Sequence, residues 1–257
     1  MPDSQFFSHA TAAVLWGAPV PYTALPTVSV GTALHVSALR PDSRPRLDGV
    51  IGHTLSAKRT RVVELDGLRL TDPATTWAQL STLVKLDDLI AAGDFFVTGE
   101  EPRGEPYPRA LSTLGELREA RVRYGRTPGA TLLREALPRV RFGPLSPRET
   151  LVRLRIVDAG LPEPELNWEV RDRFGRVVAL IDLAYPEHLV GIEYEGDGHR
   201  ERDRFRADIH RRERLEDLGW TIVRLTADDT SIDRDPQRVR EMTNRIARRL
   251  RARGWAP

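Results

Sequence analysis

The chain has 257 residues, enough for two domains of ordinary size, and its 40% hydrophobic and 30% charged content is typical of a globular protein. It contains no cysteine, which excludes disulfides and thiolate metal sites, and its net charge of +2 gives no argument about nucleic acid as a partner. No apolar run reaches the roughly 20 residues of a membrane span, and no signal peptide is evident, so we expect a cytoplasmic protein without membrane contact.

Residues 1–98 predict an N-terminal domain that mixes helices and strands. A short helix is expected after Ser8. The Asp66-Gly67 pair predicts a tight hairpin, because it supplies the positive φ angles of such a turn. Asp72-Pro73 then begins a helix, with proline at its first position. His35 and His53 have no partner at a metal-ligand spacing, so structural or surface roles are expected for both.

Three short pieces of this domain resemble a known family. They are SHATAAVLWGAPVP at residues 8–21, the hairpin around Asp66-Gly67, and TDPATTWAQL at residues 71–80. Together they are similar to the C-terminal part of AbiEi-type antitoxins, without the N-terminal winged helix that binds operator DNA in that family. A protein partner that binds through this half of the chain is the expectation of a separate hypothesis.

Residues 99–145 predict a connector between two domains. Residues 99–108 are rich in proline, glycine and charge and predict a loop. Leu111, Leu114 and Leu117 then keep helical spacing, and a further short helix is expected before residue 140.

Residues 146–257 predict a second domain. Ser146, Pro147 and Glu149 form a capping-box pattern ahead of an apolar helix. Three strands, an arginine-rich helix, a further strand and a last helix follow. The last helix has an apolar stripe at helical spacing, formed by Val239, Met242, Ile246 and Leu250. This order predicts an α+β domain with a mixed sheet flanked by helices.

The stretch from residue 181 to residue 199 has the strongest functional pattern. With a period of two, acidic side chains occupy one face of a predicted hairpin and apolar side chains the other. The apolar face comprises Ile181, Leu183, Val190, Ile192 and Tyr194, and the acidic face comprises Asp182, Glu193 and Glu195.

A two-residue loop at Glu187-His188 places Asp182 directly opposite Glu193, with Cβ atoms about 5 Å apart. Two carboxylates this close repel each other unless a positive group lies between them. That group is a Mg²⁺ ion in one interpretation, with Mn²⁺ as a substitute, and arginine side chains in the other. An arginine between the acids would argue against the metal.

The second domain also resembles a nuclease family. The segments that carry the resemblance are SPRET at 146–150, GLPEP at 160–164, IDLAYP at 181–186, EYEGDGH at 193–199 and GW at 219–220. They are similar to the domain of Vsr-like endonucleases, which belong to the PD-(D/E)XK, or restriction-endonuclease-like, superfamily.

The resemblance implies a set of site residues. Asp182 and Glu193 would bind the metal, and Glu195 stands where the usual motif has lysine. His199 would serve in proton transfer. The pattern of the residues, rather than the resemblance, adds Glu149 as an assisting group and the basic helix as the element that holds phosphates. The phosphate-binding candidates are Arg200, Arg202, Arg204 and Arg211.

The leading hypothesis is a Mg²⁺-dependent endonuclease that hydrolyses phosphodiester bonds, with DNA as the expected substrate. The alternative is a non-catalytic, antitoxin-like or DNA-binding regulator whose nuclease fold is degenerate. In a third hypothesis the N-terminal half binds a protein partner and the second domain acts on that partner's nucleic acid.

Overall fold

The computed structural model describes residues 2–25, 27–28, 31–99, 109–194, 202–230 and 235–256; of residues 27–28, 31–32, 202–209, 227 and 230 it describes the backbone only. The chain forms two compact units, Met1–Pro147 and Arg148–Pro257, and each is described by itself. Both units combine helices with a mixed sheet, which confirms the α+β class. Among the described residues, no helix is both long and apolar enough to span a bilayer.

The first unit is organised around a five-stranded sheet of order β5-β4-β1-β7-β6. Strand β1 pairs antiparallel with β4 and parallel with β7, while β4 and β5 run parallel. The strands are β1 (Gln5–Phe7), β2 (Thr27–Val28), β3 (Gly31–Thr32), β4 (Leu34–Leu39), β5 (Val50–Leu55), β6 (Val62–Leu65) and β7 (Leu68–Thr71), with β2 and β3 forming a separate pair. The helices are α1 (His9–Leu15), α2 (Pro73–Leu80), α3 (Leu86–Thr98), α4 (Leu114–Tyr124) and α5 (Ala130–Ala136).

Local sequence explains the turn and the helix start that were predicted here. Asp66 and Gly67 have φ angles of 49° and 76° between β6 and β7, which confirms the tight hairpin. Helix α2 begins at Pro73, and the Asp72 carboxylate caps it by accepting from the Thr75 N–H at 2.7 Å.

The segment predicted as a connector packs within the first unit. The Arg141 N–H donates to Asp94 Oδ1 at 2.7 Å, and the Gly143 N–H donates to the Thr98 hydroxyl at 2.8 Å. Both acceptors lie on α3, so residues 109–147 are anchored to the helices before them.

The second unit contains a four-stranded sheet of order β11-β10-β9-β8. Strands β8, β9 and β10 form an antiparallel meander, and β11 joins parallel to β10 after a helical crossover. The elements are α6 (Pro147–Asp158), β8 (Glu165–Arg171), β9 (Val177–Tyr185), β10 (Val190–Tyr194), α7 (Arg202–Asp217), β11 (Thr221–Leu225), α8 (Ala227–Thr230) and α9 (Pro236–Ala252). The predicted order is confirmed, with the one-turn α8 as an addition.

Two apolar clusters cover the faces of this sheet. The first contains Leu183, Tyr185, Val190 and Ile192, together with α6 and the predicted stripe of α9. That stripe is Val239, Met242, Ile246 and Leu250, and each fully buried side chain of this kind contributes about 1.5–3 kcal/mol. The second cluster joins Val170, Ala179, Ile181 and Ala184 to Leu215 and Trp220.

Ile181 corrects the predicted alternation of β9. The sequence placed it on the face of Leu183, but it packs in the second cluster with Ala184. On the neighbouring strand Asn167 has a φ of 48°, which interrupts the regular pleat opposite the break. The change of face therefore occurs at Asp182, between Ile181 and Leu183.

Candidate functional site

The β9–β10 hairpin has the register that the acidic pattern predicted. Gly191 lies opposite Ala184, and Ile192 lies opposite Leu183. The reversal differs from the two-residue loop that was expected. It comprises residues 186–189, with a 3₁₀ turn at Pro186–His188 and Leu189 at a φ of 51°. The register is unchanged, because the longer loop removes one residue pair symmetrically.

The two metal-ligand candidates meet at the end of this ladder. The pairing ends with Ile192 opposite Leu183, one residue before each acid, and beyond it the Asp182 carboxylate accepts from the N–H of Tyr194, the residue after Glu193, at 2.9 Å. Glu193 is only 9% exposed. Burial raises the pKa of Asp182, and the nearby Glu193 charge raises it further, while the Tyr194 hydrogen bond and Arg211 act in the opposite direction. Two acids therefore share one poorly solvated position.

Arg211 is the positive group beside these acids. It projects from α7, and its guanidinium forms a two-pronged ion pair with the Glu193 carboxylate. One of its nitrogens also donates to the Leu180 carbonyl at 2.7 Å. The side chain is 31% exposed, so the pair is partly shielded from water. This is the arrangement of the arginine interpretation, and it gives Arg211 a role other than direct phosphate contact in this state.

The structure describes only some of the remaining candidate site residues. Glu149 lies in the first turn of α6, and its side chain is 8% exposed. The backbone of Arg202 and Arg204 lies in the first turn of α7. Residues 195–200, with Glu195, His199 and Arg200, lie outside the described residues, and their proposed roles stay predictions.

A group that the sequence analysis missed lies in the first unit. His9 begins α1, His35 lies on β4 and His53 lies on β5, and one nitrogen of each falls within 4.8 Å of the others. His35 Nδ1 is 2.9 Å from His53 Nε2, and the rings of His9 and His53 stack with centroids 4.0 Å apart. The expectation that His35 and His53 lack such a partner was wrong.

The spacing along the chain hides this cluster. The histidines lie 26 and 18 positions apart, and the parallel pairing of β4 with β5, which sets Ser37 beside His53, brings two of them together. Because β5 was not predicted, the spacing along the chain offered no reason to combine the three histidines. The pattern of β4, with His35 and Ser37 alternating among apolar residues, was the usable sign.

Hydrogen bonds with neighbouring residues hold the histidine cluster in place. The Ser8 hydroxyl contacts His9 Nδ1 at 2.8 Å and the Ser37 hydroxyl at 2.6 Å, so it is used here rather than as a helix cap. The His35 backbone N–H donates to the Thr11 hydroxyl at 2.7 Å. Within the described part of the chain, the buried His35 Nε2 has no hydrogen-bond partner.

The three imidazoles are held in their neutral form. Burial lowers the pKa of His9 well below its ordinary value, and His53 and His35 lower it further. Burial and His53 lower the pKa of His35 to about 4, while burial and the Arg44 charge lower that of His53. At neutral pH the rings therefore keep lone pairs, which is the form that binds metals.

The fold and these sites define an α+β protein with an acid pair in one unit and a histidine cluster in the other. No protein-family model matches the chain, and no solved structure does either. It is similar to the uncharacterized proteins MT2308 and Rv2248 of two Mycobacterium tuberculosis strains, CDC 1551/Oshkosh and H37Rv, each 32% identical over 180 residues. The match covers 65% of this chain, and the chain spans 64% of the length of each relative.

Proposed function

We propose that the second unit is a metal-dependent nuclease of the PD-(D/E)XK type that hydrolyses phosphodiester bonds, with DNA as the expected substrate. The observation that carries the proposal is the position of Asp182 beside Glu193: the Asp182 carboxylate accepts from the N–H of Tyr194, the residue that follows Glu193, and the Glu193 charge acts on it. The element order α6-β8-β9-β10-α7-β11 agrees with the resemblance to Vsr-like endonucleases.

The donor set of this pair fits Mg²⁺. Two carboxylates supply the hard oxygen ligands that Mg²⁺ prefers, and the ion takes its remaining ligands from water and substrate. When bound, the ion would lower the pKa of a coordinated water and offset charge on the phosphate. Mn²⁺ has similar ligand preferences and is the expected substitute.

Arg211 has a defined part in this proposal. In the metal-free state its guanidinium neutralises Glu193, which would otherwise be a buried charge beside Asp182. Metal binding must release Arg211 from at least one of its two contacts, because both Glu193 oxygens are engaged. A released guanidinium at this edge is well placed to hold a phosphate oxygen.

The other candidate site residues would assist in proton transfer, phosphate binding and the orientation of water. His199, if it lies near the acids, would carry a proton to or from the reacting oxygen, since its ordinary pKa is near neutral. Arg202 and Arg204 of α7 would hold flanking phosphates, which gives affinity without sequence preference. Glu195 and Glu149 would orient water.

Plasmid and single-stranded DNA incubated with Mg²⁺, Mn²⁺ or EDTA test the proposal. We expect cutting that requires the metal and is lost in Asp182→Asn, which keeps the acceptor for the Tyr194 N–H. The matched control is Glu187→Gln, an exposed acid in the turn of the same hairpin. Metal-independent cutting, or cutting that survives in Asp182→Asn, would refute the nuclease.

The Arg211–Glu193 ion pair favours a second candidate, a non-catalytic nucleic-acid-binding regulator. In that case the arginine is the permanent counter-ion and no metal is needed. The protein would bind DNA without cutting it, with affinity that falls steeply with salt because the contacts are to phosphates. Fluorescence anisotropy on wild type and Asp182→Asn decides, since equal binding and no cleavage support the regulator.

A further inference from the structure

We propose that His9, His35 and His53 form a binding site for a divalent transition-metal ion in the first unit, with Zn²⁺ as the expected occupant. This site is separate from the acid pair of the second unit. It takes a different class of metal, because imidazole nitrogens suit Zn²⁺, Co²⁺, Ni²⁺ and Cu²⁺, whereas Mg²⁺ prefers oxygen ligands.

The positions of the ring nitrogens are close to those of a three-histidine site. A tetrahedral ion with Zn–N bonds of about 2.0–2.1 Å holds its nitrogens roughly 3.3 Å apart. Here one nitrogen of each ring lies within 4.8 Å of the other two, and His35 Nδ1 is already 2.9 Å from His53 Nε2. Side-chain rotations that move the ring nitrogens by about an ångström would complete the coordination, with water in the fourth position.

The surroundings supply what a histidine site requires beyond the ligands. A ligating imidazole usually uses its second nitrogen in a hydrogen bond that fixes the ring. The contact of Ser8 with His9 Nδ1 does this and leaves Nε2 of His9 for the ion. Ser8 is itself held by Ser37 on β4, two residues from His35, so one hydrogen-bond chain ties α1 to the strand that carries the second ligand.

The metal-free cluster is incomplete as a purely structural feature. His35 is only 3% exposed, yet within the described residues its Nε2 has no hydrogen-bond partner. The buried rings of His9 and His35 and the partly buried ring of His53 have few polar partners, so they lose hydrogen bonds that water would give them. A bound cation would give the ring nitrogens that face one another a common partner, because coordination uses a nitrogen lone pair in each ring.

The charges near the cluster permit a cation. Arg44 is the positive group that acts on His53, but its side chain is exposed and solvent screens its charge.

The test is a titration of the untagged, EDTA-treated full chain with Co²⁺, followed by absorption, and with Zn²⁺ in competition. We expect the visible Co²⁺ bands of a tetrahedral nitrogen site, with an intensity that saturates at one such site per chain. Three of the chain's six histidines form the cluster, so His210→Gln, an exposed position in the other unit, is the matched control and should bind normally.

Two variants at the histidine cluster should weaken metal binding to different degrees. Ser8→Ala removes an outer partner and should weaken binding by about 10–100-fold, whereas His53→Gln removes a ligand and should weaken it beyond that range. His53 is the ligand of choice because it is the least buried of the three and lies on the edge strand β5. Circular dichroism checks that each variant is folded.

Binding that is substoichiometric in the wild type, or that equals the wild type in a folded His53→Gln, would overturn the proposal. Should His53→Gln unfold, the wild-type stoichiometry and the Co²⁺ bands decide alone. Asp182→Asn should leave Zn²⁺ binding unchanged. The outcome of the Zn²⁺ titration is therefore independent of whether the nuclease proposal succeeds or fails.

Discussion

Arg211→Met should destabilise the protein, and Mg²⁺ should restore part of the loss. The substitution keeps an unbranched stem on α7 and removes the charge, which leaves Glu193, 9% exposed, beside Asp182 without its counter-ion. Removing one partner of a fully buried ion pair costs about 3–5 kcal/mol. Because 31% of the Arg211 side chain is exposed, we expect about 2–3 kcal/mol at pH 7.5.

Urea denaturation with and without Mg²⁺ measures this effect. An ion held by the acids at about ten times its dissociation constant stabilises the folded state by about 1.4 kcal/mol. The gain should be smaller in the wild type, where Mg²⁺ competes with Arg211 for Glu193. Lowering the pH toward 5 should also recover stability in the variant, because a shared proton can replace the guanidinium.

Two controls make the result specific. Arg214→Met changes an exposed arginine of the same helix and should stay within about 0.5 kcal/mol of the wild type. The double variant Glu193→Gln/Arg211→Met removes both charges, so it should regain much of the loss and show no Mg²⁺ effect. The reasoning fails if Arg211→Met is as stable as Arg214→Met. A Mg²⁺ effect equal in the single and double variants would instead exclude metal binding by the acids.

Three further predictions concern stability. Burial raises the pKa of Asp182 above its usual value of about 3.8. The protonated carboxyl therefore favours folding below that value, and this contribution to stability is lost as the pH rises through the pKa of the folded state. Asp182→Asn should thus be more stable than wild type at pH 7, and the difference in urea melts should shrink toward pH 4. Gly191→Ala places a Cβ 2.9 Å from Ile181 Cγ2 and should cost about 1–3 kcal/mol in thermal unfolding, whereas an unchanged melting temperature would show that the sheet can adjust. Asp72→Ala removes the cap that accepts from Thr75 and should cost about 1 kcal/mol, while Asp72→Asn should retain most of it.

The sequence predicted the second unit well, because its information is local. A period of two and a short reversal define which residues face each other, so the pairing of Ala184 with Gly191 followed from the chain alone. The apolar stripe of α9 followed from helical spacing in the same way. The face of Ile181 did not follow, since the break in the pleat depends on the conformation of Asn167 on the neighbouring strand.

Contacts between elements that lie far apart along the chain could not be predicted from the sequence. Arg211 follows Glu193 by 18 positions, and only the packing of α7 against β9 selects it among the many arginines of this helix. The histidine cluster requires that β4 and β5 lie side by side and that α1 begins above them. Pattern and spacing within one segment carry no information about such neighbours.

In both units, unusual backbone and buried ionisable groups occur together. Asp182 and Glu193 lie where the pleat breaks opposite Asn167 at a φ of 48°, and His9 begins α1 at a φ of 51°. Apolar side chains would pack in these places with less desolvation cost, so packing alone gives no reason for acids in one and histidines in the other. Such departures from local preference concentrate at functional sites. The acids therefore favour an oxygen-ligand metal site and the histidines a nitrogen-ligand site, so we expect Mg²⁺ and Zn²⁺ to stabilise different variants of this chain.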